Sequence, residues 1–244
     1  MNRKTTGLIL ALLFSTIAVQ ATPSAQKIIQ QADQYRGFGD QSFSFNLVIV
    51  SYRPQREPSS NGLRVKVKSD KSLVEFLAPK TVKGRAMLFE GRDLWLHIPK
   101  TRKLIRLSPA QRLMGEASNG DVAATNFSGD YTATLLGEQT VENTDCYHLI
   151  LEALDAKVTY HKIEYWVAKK TRKPVMSKHF AHSGKLLKTA FYKSFIKVGG
   201  QEKLEKLLLV NPLFEGRYTW MIYSRYQQEN FPDTLFRKEN LNRL

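Results

Sequence analysis

His179 and His182 stand three residues apart, a spacing that on a helix would set two imidazoles side by side for a metal. Their segment, Pro174 to His182, reads instead as a strand, where the two rings leave on opposite faces. No metal site is expected from them. Asp121 and Asp130 bracket the stretch Val-Ala-Ala-Thr-Asn-Phe-Ser-Gly and could serve as acid and base. An Asp in a loop ahead of apolar residues is more simply a helix cap, and that role is the expectation. His97 alternates with Trp95 and reads as a packed or edge residue, while His148 and His161 fall in strands without a carboxylate partner close in the chain. The single Cys146 lies in the strand-like run Asp-Cys-Tyr-His-Leu-Ile-Leu, so no internal disulfide forms and core packing is its expected role. Gly184-Lys185 precedes Leu rather than Ser or Thr, and His179 occupies the place of the first glycine of a phosphate-cradling loop; that cradle is rejected. No Gly-x-Ser-x-Gly occurs. These residues predict a protein that is not an enzyme, with no metal and no cofactor.

The elements around these residues suit a container better than a reaction centre. Residues 1–21 read MNRKTTGLILALLFSTIAVQA, with a basic start, an apolar run and small residues before Thr22. This is the pattern of a cleaved secretory signal peptide; the apolar run is well short of the ~20 residues of a spanning helix. No Cys stands at the cleavage point, so the mature chain is expected to be exported and soluble rather than lipid-anchored. Residues 22–244 are read as one domain, a size common among all-β folds.

Pro23 to Arg36 is expected to be helical, with Thr22 as cap and Ile28, Ile29, Ala32 and Tyr35 as its apolar stripe. Strands follow. Phe43, Phe45, Leu47 and Ile49 alternate with polar residues, as do Leu63, Val65 and Val67. Further strands are expected at Leu73–Leu77, Ala86–Phe89, Leu94–Ile98 and Leu104–Leu107. Ser108-Pro109 resembles a helix start that would carry Leu113 and Met114 inward. A second meander is expected from Tyr131 to Tyr226, with a last strand at Thr234–Phe236. No βαβ alternation occurs, which excludes a parallel sheet. Eleven or so antiparallel strands in one sheet must curl to protect their inner face, and the few helices would plug the mouth. The expected fold is mainly β (α+β), an incomplete barrel with a helical lid. Strand parity assigns Phe43, Phe45, Leu47, Val74, Phe76, Leu88, Trp95, Ile163, Tyr165, Leu187, Phe191, Phe195, Trp220 and Ile222 to the inner wall, with Leu113 and Met114 on the lid.

The run from Met87 to Pro99, the run from Arg106 to Gly115 and Ser118-Asn-Gly-Asp121 together resemble the outer-membrane lipoprotein-sorting (LolA-like) family. Asp130-Tyr131, Thr159-Tyr160 with Trp166, Ser183-Gly-Lys-Leu-Leu-Lys188 and the ending Phe231-Pro-Asp-Thr-Leu-Phe236 fit the same pattern. The resemblance covers nearly the whole mature chain. It implies an incomplete antiparallel barrel around an apolar cavity, closed by helices, that carries acyl chains of lipoproteins or other lipids across the periplasm. Arg64 and Arg85 are the candidates for that family's lid-closing arginine. The lipid-binding set expected from parity is Phe43, Phe45, Leu47, Phe76, Leu88, Trp95, Leu113, Met114, Ile163, Tyr165, Phe191 and Trp220.

The full chain carries a formal charge of +15, and removing Arg3 and Lys4 leaves 35 basic against 22 acidic residues, or +13. Such a balance favours anionic partners. After export these are membrane head groups; no nucleic-acid motif is present. The expected partners are therefore lipid or lipoprotein acyl chains, an inner-membrane transporter or outer-membrane receptor, and transiently an anionic membrane surface. Two other readings compete with the carrier. One is a periplasmic sensor or adaptor that uses the same fold to bind a transporter or regulator. The other is an enzyme on lipid or glycan, for which no nucleophile and base pair is legible.

Overall fold

A computed structural model of the chain describes residues 23–39, 41–101, 103–123 and 126–243. The leader expected at residues 1–21 lies outside the described residues. Helix α1 (Ala25–Asp33) begins two residues later than expected. Ser24 caps it, its Oγ accepting from the Lys27 N–H at 3.3 Å. The expected cap, Thr22, is itself outside the described residues. Ile28, Ile29 and Ala32 form the buried stripe.

Two meanders make up the sheet. The first runs β1 (Phe43–Arg53), β2 (Arg56–Lys68), β3 (Lys71–Ala78), β4 (Ala86–Glu90), β5 (Asp93–Ile98) and β6 (Lys103–Leu107). The second runs β9 (Tyr131–Val141), β10 (Thr144–Ala153), β11 (Lys162–Ala168), β12 (Pro174–Phe180), β13 (Leu186–Val198), β14 (Gln201–Val210) and β15 (Tyr218–Gln228). Pairing of β1 with β15 fuses them into one curved antiparallel sheet of thirteen strands that does not close. Its free edges are β6 and β9. The chain between those edges must cross the gap. It does so as a small hairpin, β7 (Arg112–Met114) with β8 (Ala117–Ser118), followed by two one-turn helices, α2 (Asn119–Val122) and α3 (Phe127–Asp130).

The helix expected after Ser108-Pro109 is thus a turn and a hairpin. The Gln111 and Pro109 carbonyls accept from the Asn119 and Gly120 N–H groups, so the chain doubles back on itself. Gly115 at the hairpin turn has φ +57°, a conformation that ends any helix. The strand expected at Thr234–Phe236 is a 3₁₀ turn, Asp233–Phe236.

One core lies between the sheet and its covering elements α1, the hairpin, α2 and α3. A smaller one lies on the outer face, where Phe231, Phe236 and Leu241 of the C-terminal turns cover Leu73, Ala86 and Leu88. This second core corrects several parity assignments. Met87, Phe89 and Leu94 point inward. Leu88 and Trp95 therefore point outward, Leu88 fully buried under the C-terminal turns and Trp95 beneath Lys238, whose Nζ is 3.8 Å from its ring. On β15 the inward residues are Thr219, Met221 and Tyr223, paired through Ile49 and Leu47 to the inner phase of β1. That leaves Trp220 and Ile222 outside. On β13 Lys188, Ala190 and Tyr192 are buried inward, which turns Leu187 and Phe191 out. A register shift after Tyr192 then brings Phe195 back against the core. Both strands are apolar in both phases, so alternation alone favours neither.

Candidate functional site

Beneath the covering elements the inner face is aromatic. Phe45 packs against Tyr223 and Tyr226, with ring centroids 5.7 and 5.4 Å apart. Tyr165 packs against Phe127 of α3 at 5.4 Å and Tyr192 at 6.1 Å. Phe43, Phe45, Leu47, Val74, Phe76, Ile163 and Tyr165 all lie in this core, and Leu113 and Met114 are half-buried against it. The interior is filled by these side chains. What remains is a cavity of about 20 Å³ lined by Arg36, Asp121, Phe127, Tyr160, His179 and Tyr192 among others, space for about one water.

The hairpin and α2 form a plug whose residues 115–120 are all buried. Its attachment is polar. The Lys188 ammonium forms an ion pair with Asp121, their side chains 3% and 11% exposed. Tyr160 Oη donates to Asp121 at 2.8 Å, and the Ser118 N–H and Oγ–H donate to it at 2.7 and 2.9 Å. Asp121 is not the N-cap expected of it: Ser118 holds that position, and Asp121, the third residue of α2, accepts from the Ser118 N–H and is the plug's ionic anchor. Burial pushes its carboxyl up, but Lys188 and the hydrogen bonds outweigh burial and hold it below the ordinary range. Lys188 also donates to the Glu116 carbonyl, the Glu116 N–H donates to Thr219 Oγ1 at 2.8 Å, and Asn211 Nδ2 donates to Glu116 Oε2 at 2.7 Å. Two glycines permit the fit. A Cβ on Gly115 would fall inside the Thr219 and Ser51 side chains, and one on Gly120 inside Thr159.

His179 is buried beside this anchor, its Nε2 2.9 Å from Ser177 Oγ. Burial, then Lys188, pushes it down to about 3, so it is a neutral ring at ordinary pH. His182 lies apart, its Nδ1 3.2 Å from that of His161. No group of three or more metal-ligating side chains occurs among the described residues.

α1 and α3 are clasped together. Asp33 accepts from the Phe127 and Ser128 N–H groups at 3.2 and 2.8 Å, and Gln26 donates to the Ser128 carbonyl at 2.8 Å. Burial raises the Asp33 carboxyl to about 6, against the pull of those N–H groups and Arg36. Arg36, just past α1, lays its guanidinium 4.8 Å from the Phe127 ring centroid. Its Nη1 is buried with no hydrogen-bond partner among the described residues. Neither arginine proposed from the sequence reaches the lid. Arg64 pairs with Glu229 at 2.9 Å, and Arg85 donates to the Thr81 carbonyl. Arg36 was hidden because only the turn after α1 brings it under α3.

A groove of about 760 Å³ opens beside α3, lined by Asp70, Phe89, Arg92, Asn126, Lys157 and Thr159 among others. It meets the interior cavity at Asp130, Val158 and Thr159, which line both. Exposed ion pairs span this mouth from the first meander to the β10–β11 loop and α3: Arg92 with Asp155 at 2.9 Å and with Asp130 of α3 at 3.8 Å, and Lys157 with Asp93 at 3.7 Å.

An open antiparallel half-barrel, plugged by the connection between its own free edges, is the architecture of the LolA superfamily. The chain belongs to it. The crystal structure of the LolA superfamily protein NE2245 from Nitrosomonas europaea is 34% identical, with a TM-score of 0.84 over 89% of this chain and 99% of that one. A family model described only as an "uncharacterized protein"-like family matches residues 68–243. The same fold recurs in a putative outer membrane lipoprotein-sorting protein domain from Vibrio parahaemolyticus, at 21% identity and a TM-score of 0.76 over 89% of this chain and 98% of that one. It recurs again in a DUF1329 family protein from Desulfovibrio piger, at 21% identity and a TM-score of 0.76 over 89% and 97%. No curated protein matches the chain. Among the described residues no helix is long and apolar enough to cross a membrane.

Proposed function

We propose that the protein is a periplasmic carrier that binds acyl chains of lipoproteins or other lipids on the aromatic inner face and moves them toward the outer membrane. Residues 1–21 act as its export signal, and residues 22–244 as one lipid-binding domain without enzymatic chemistry. Its partners are the acyl cargo and a transporter or receptor at either membrane. One observation carries the reading. The open groove meets the interior cavity along Asp130, Val158 and Thr159, and among the described residues the ion pairs across it are exposed. An acyl chain gains about 0.8 kcal/mol per buried CH₂, enough over several methylenes to displace packed side chains. Cargo enters by parting α3 from the mouth rather than by filling a standing cavity. The contacting set is Phe43, Phe45, Leu47, Phe76, Ile163 and Tyr165 on the wall, with Leu113 and Met114 at the plug. Leu88, Trp95, Phe191 and Trp220 are left out because they face away.

The filled interior, with only about 20 Å³ to spare, favours a second reading: an adaptor that recognises a protein partner through the same mouth. Native mass spectrometry of protein purified from its own periplasm separates the two. A co-purifying lipid, or uptake of a fatty acid or lipopeptide by delipidated protein, supports the carrier. A stable protein partner with no bindable lipid supports the adaptor.

A further inference from the structure

At the end of the sheet opposite the mouth, the β1–β2 turn and the β14–β15 connection come together. Leu213 and Phe214 stand side by side there, 60% and 49% exposed. With them Arg53, Pro54, Arg56 and Arg217 line a shallow pocket of about 390 Å³, in which Glu215 is the one lining carboxylate. The Arg217 guanidinium lies 4.2 Å from the Phe214 ring centroid. Arg53, Arg56 and Arg217 form no ion pair among the described residues, unlike Arg64, Lys66, Lys71, Arg106 and Lys193 along the strands. Two adjacent apolar side chains in water, ringed by three unpaired guanidiniums, match the chemistry of a bilayer interface. Apolar anchors enter the acyl boundary and cations meet the phosphates. Arg suits phosphate through its planar fork of donors.

The tip is also set in shape. Asn211 Oδ1 accepts from the Leu213 and Phe214 N–H groups at 2.9 and 3.2 Å. The same side chain donates to Glu116 of the plug, and Glu116 is held in turn by Lys188. A continuous run of hydrogen bonds thus joins the exposed tip to the buried anchor.

We propose that this tip docks the protein on an anionic lipid bilayer, with Leu213 and Phe214 at the acyl boundary and Arg53, Arg56 and Arg217 on the headgroup phosphates. Docking here does not require a loaded interior, so it stands apart from the carrier reading. Co-sedimentation with phosphatidylcholine vesicles, with and without phosphatidylglycerol, tests it. The native chain should bind the phosphatidylglycerol vesicles, and less so at high salt. The double variant Leu213→Ser, Phe214→Ser should lose about tenfold or more in partitioning. The triple variant Arg53→Gln, Arg56→Gln, Arg217→Gln should lose the preference for phosphatidylglycerol. Leu136→Ser and Leu154→Ser, at exposed apolar residues elsewhere, should change nothing. The proposal is overturned if the native chain binds neither vesicle, if the tip variants partition like the native chain, or if the Leu136 and Leu154 variants lose as much. Fatty-acid uptake by the tip variants, measured without vesicles, should equal that of the native chain; its failure in the native chain would count against the carrier and leave docking intact.

Discussion

The mouth and the plug close the same interior with ion pairs, in opposite solvent environments. At the mouth Arg92, Asp130 and Asp155 are each more than a third exposed, and such pairs contribute about 0–1 kcal/mol and weaken with salt. At the plug Lys188 and Asp121 are almost fully enclosed, and removing one partner strands the other charge away from water. Breaking the first set of ion pairs therefore costs less than breaking the second. On the proposed carrier reading, cargo enters at the mouth and the plug stays a fixed part of the wall.

Removing the plug's anchor should have the largest effect. Lys188→Met leaves Asp121 buried without its cation and should cost about 3–5 kcal/mol in denaturant unfolding; a loss below ~1 kcal/mol would make the plug as soft as the mouth. Gly120→Ala comes next. Its Cβ would fall inside Thr159, so α2 must shift, at about 1–3 kcal/mol for an overpacked site. Fatty-acid uptake by this variant should equal that of the native chain, since the proposed route lies at the mouth; a marked rise would place the entry at the plug instead.

Asp33 links the two regions through α1 and α3, and its behaviour with pH is distinctive. Its carboxyl is raised from 3.8 to about 6 in the folded chain, so the fold favours its protonated form. Relative to Asp33→Asn, the native chain should be most stable below pH ~4 and should lose that standing as pH rises through about 6. Thermal unfolding of both proteins across this range checks the sign; a difference that stays flat would mean that the clasp is solvated. The smallest effect is expected from Arg92→Ala, below about 1 kcal/mol in stability. Its consequence should be kinetic. Uptake should speed up, and salt should accelerate uptake less than it does in the native chain, where the Arg92 pairs add to Lys157–Asp93; equal rates in both proteins would remove the mouth as the gate.

Much of the fold was legible in local patterns. Most strand positions from Phe43 to Tyr226 were readable from period-2 alternation and turn residues, the β7–β8 hairpin excepted, and antiparallel pairing from the lack of crossover helices. The inner phase was readable where one face is polar, as in β1, where Ser44 and Asn46 alternate with Phe43, Phe45 and Leu47. It was not readable in Tyr218-Thr-Trp-Met-Ile-Tyr, where both phases are apolar and only the pairing of Met221 with Ile49 decides. On β13 the true inner phase begins with Lys188, which no hydrophobic pattern would place inside. Trp95 and Leu88 looked like inner residues because the C-terminal turns that bury the outer face are distant in sequence.

The sequence by itself determined the order of the sheet's strands, though not their number (eleven or so expected, thirteen found), the sense of their pairing and the excess of apolar faces that makes the sheet curl. Those properties depend on neighbours two to four residues away. The tertiary structure decided which face is inside, that the interior is filled, and that the segment after Pro109 is a plug rather than a lid helix. Each of these depends on groups that meet only after folding, above all Lys188 and Asp121, which lie 67 residues apart. A buried charge is tolerable only beside its partner, and no local pattern announces that the partner will be there.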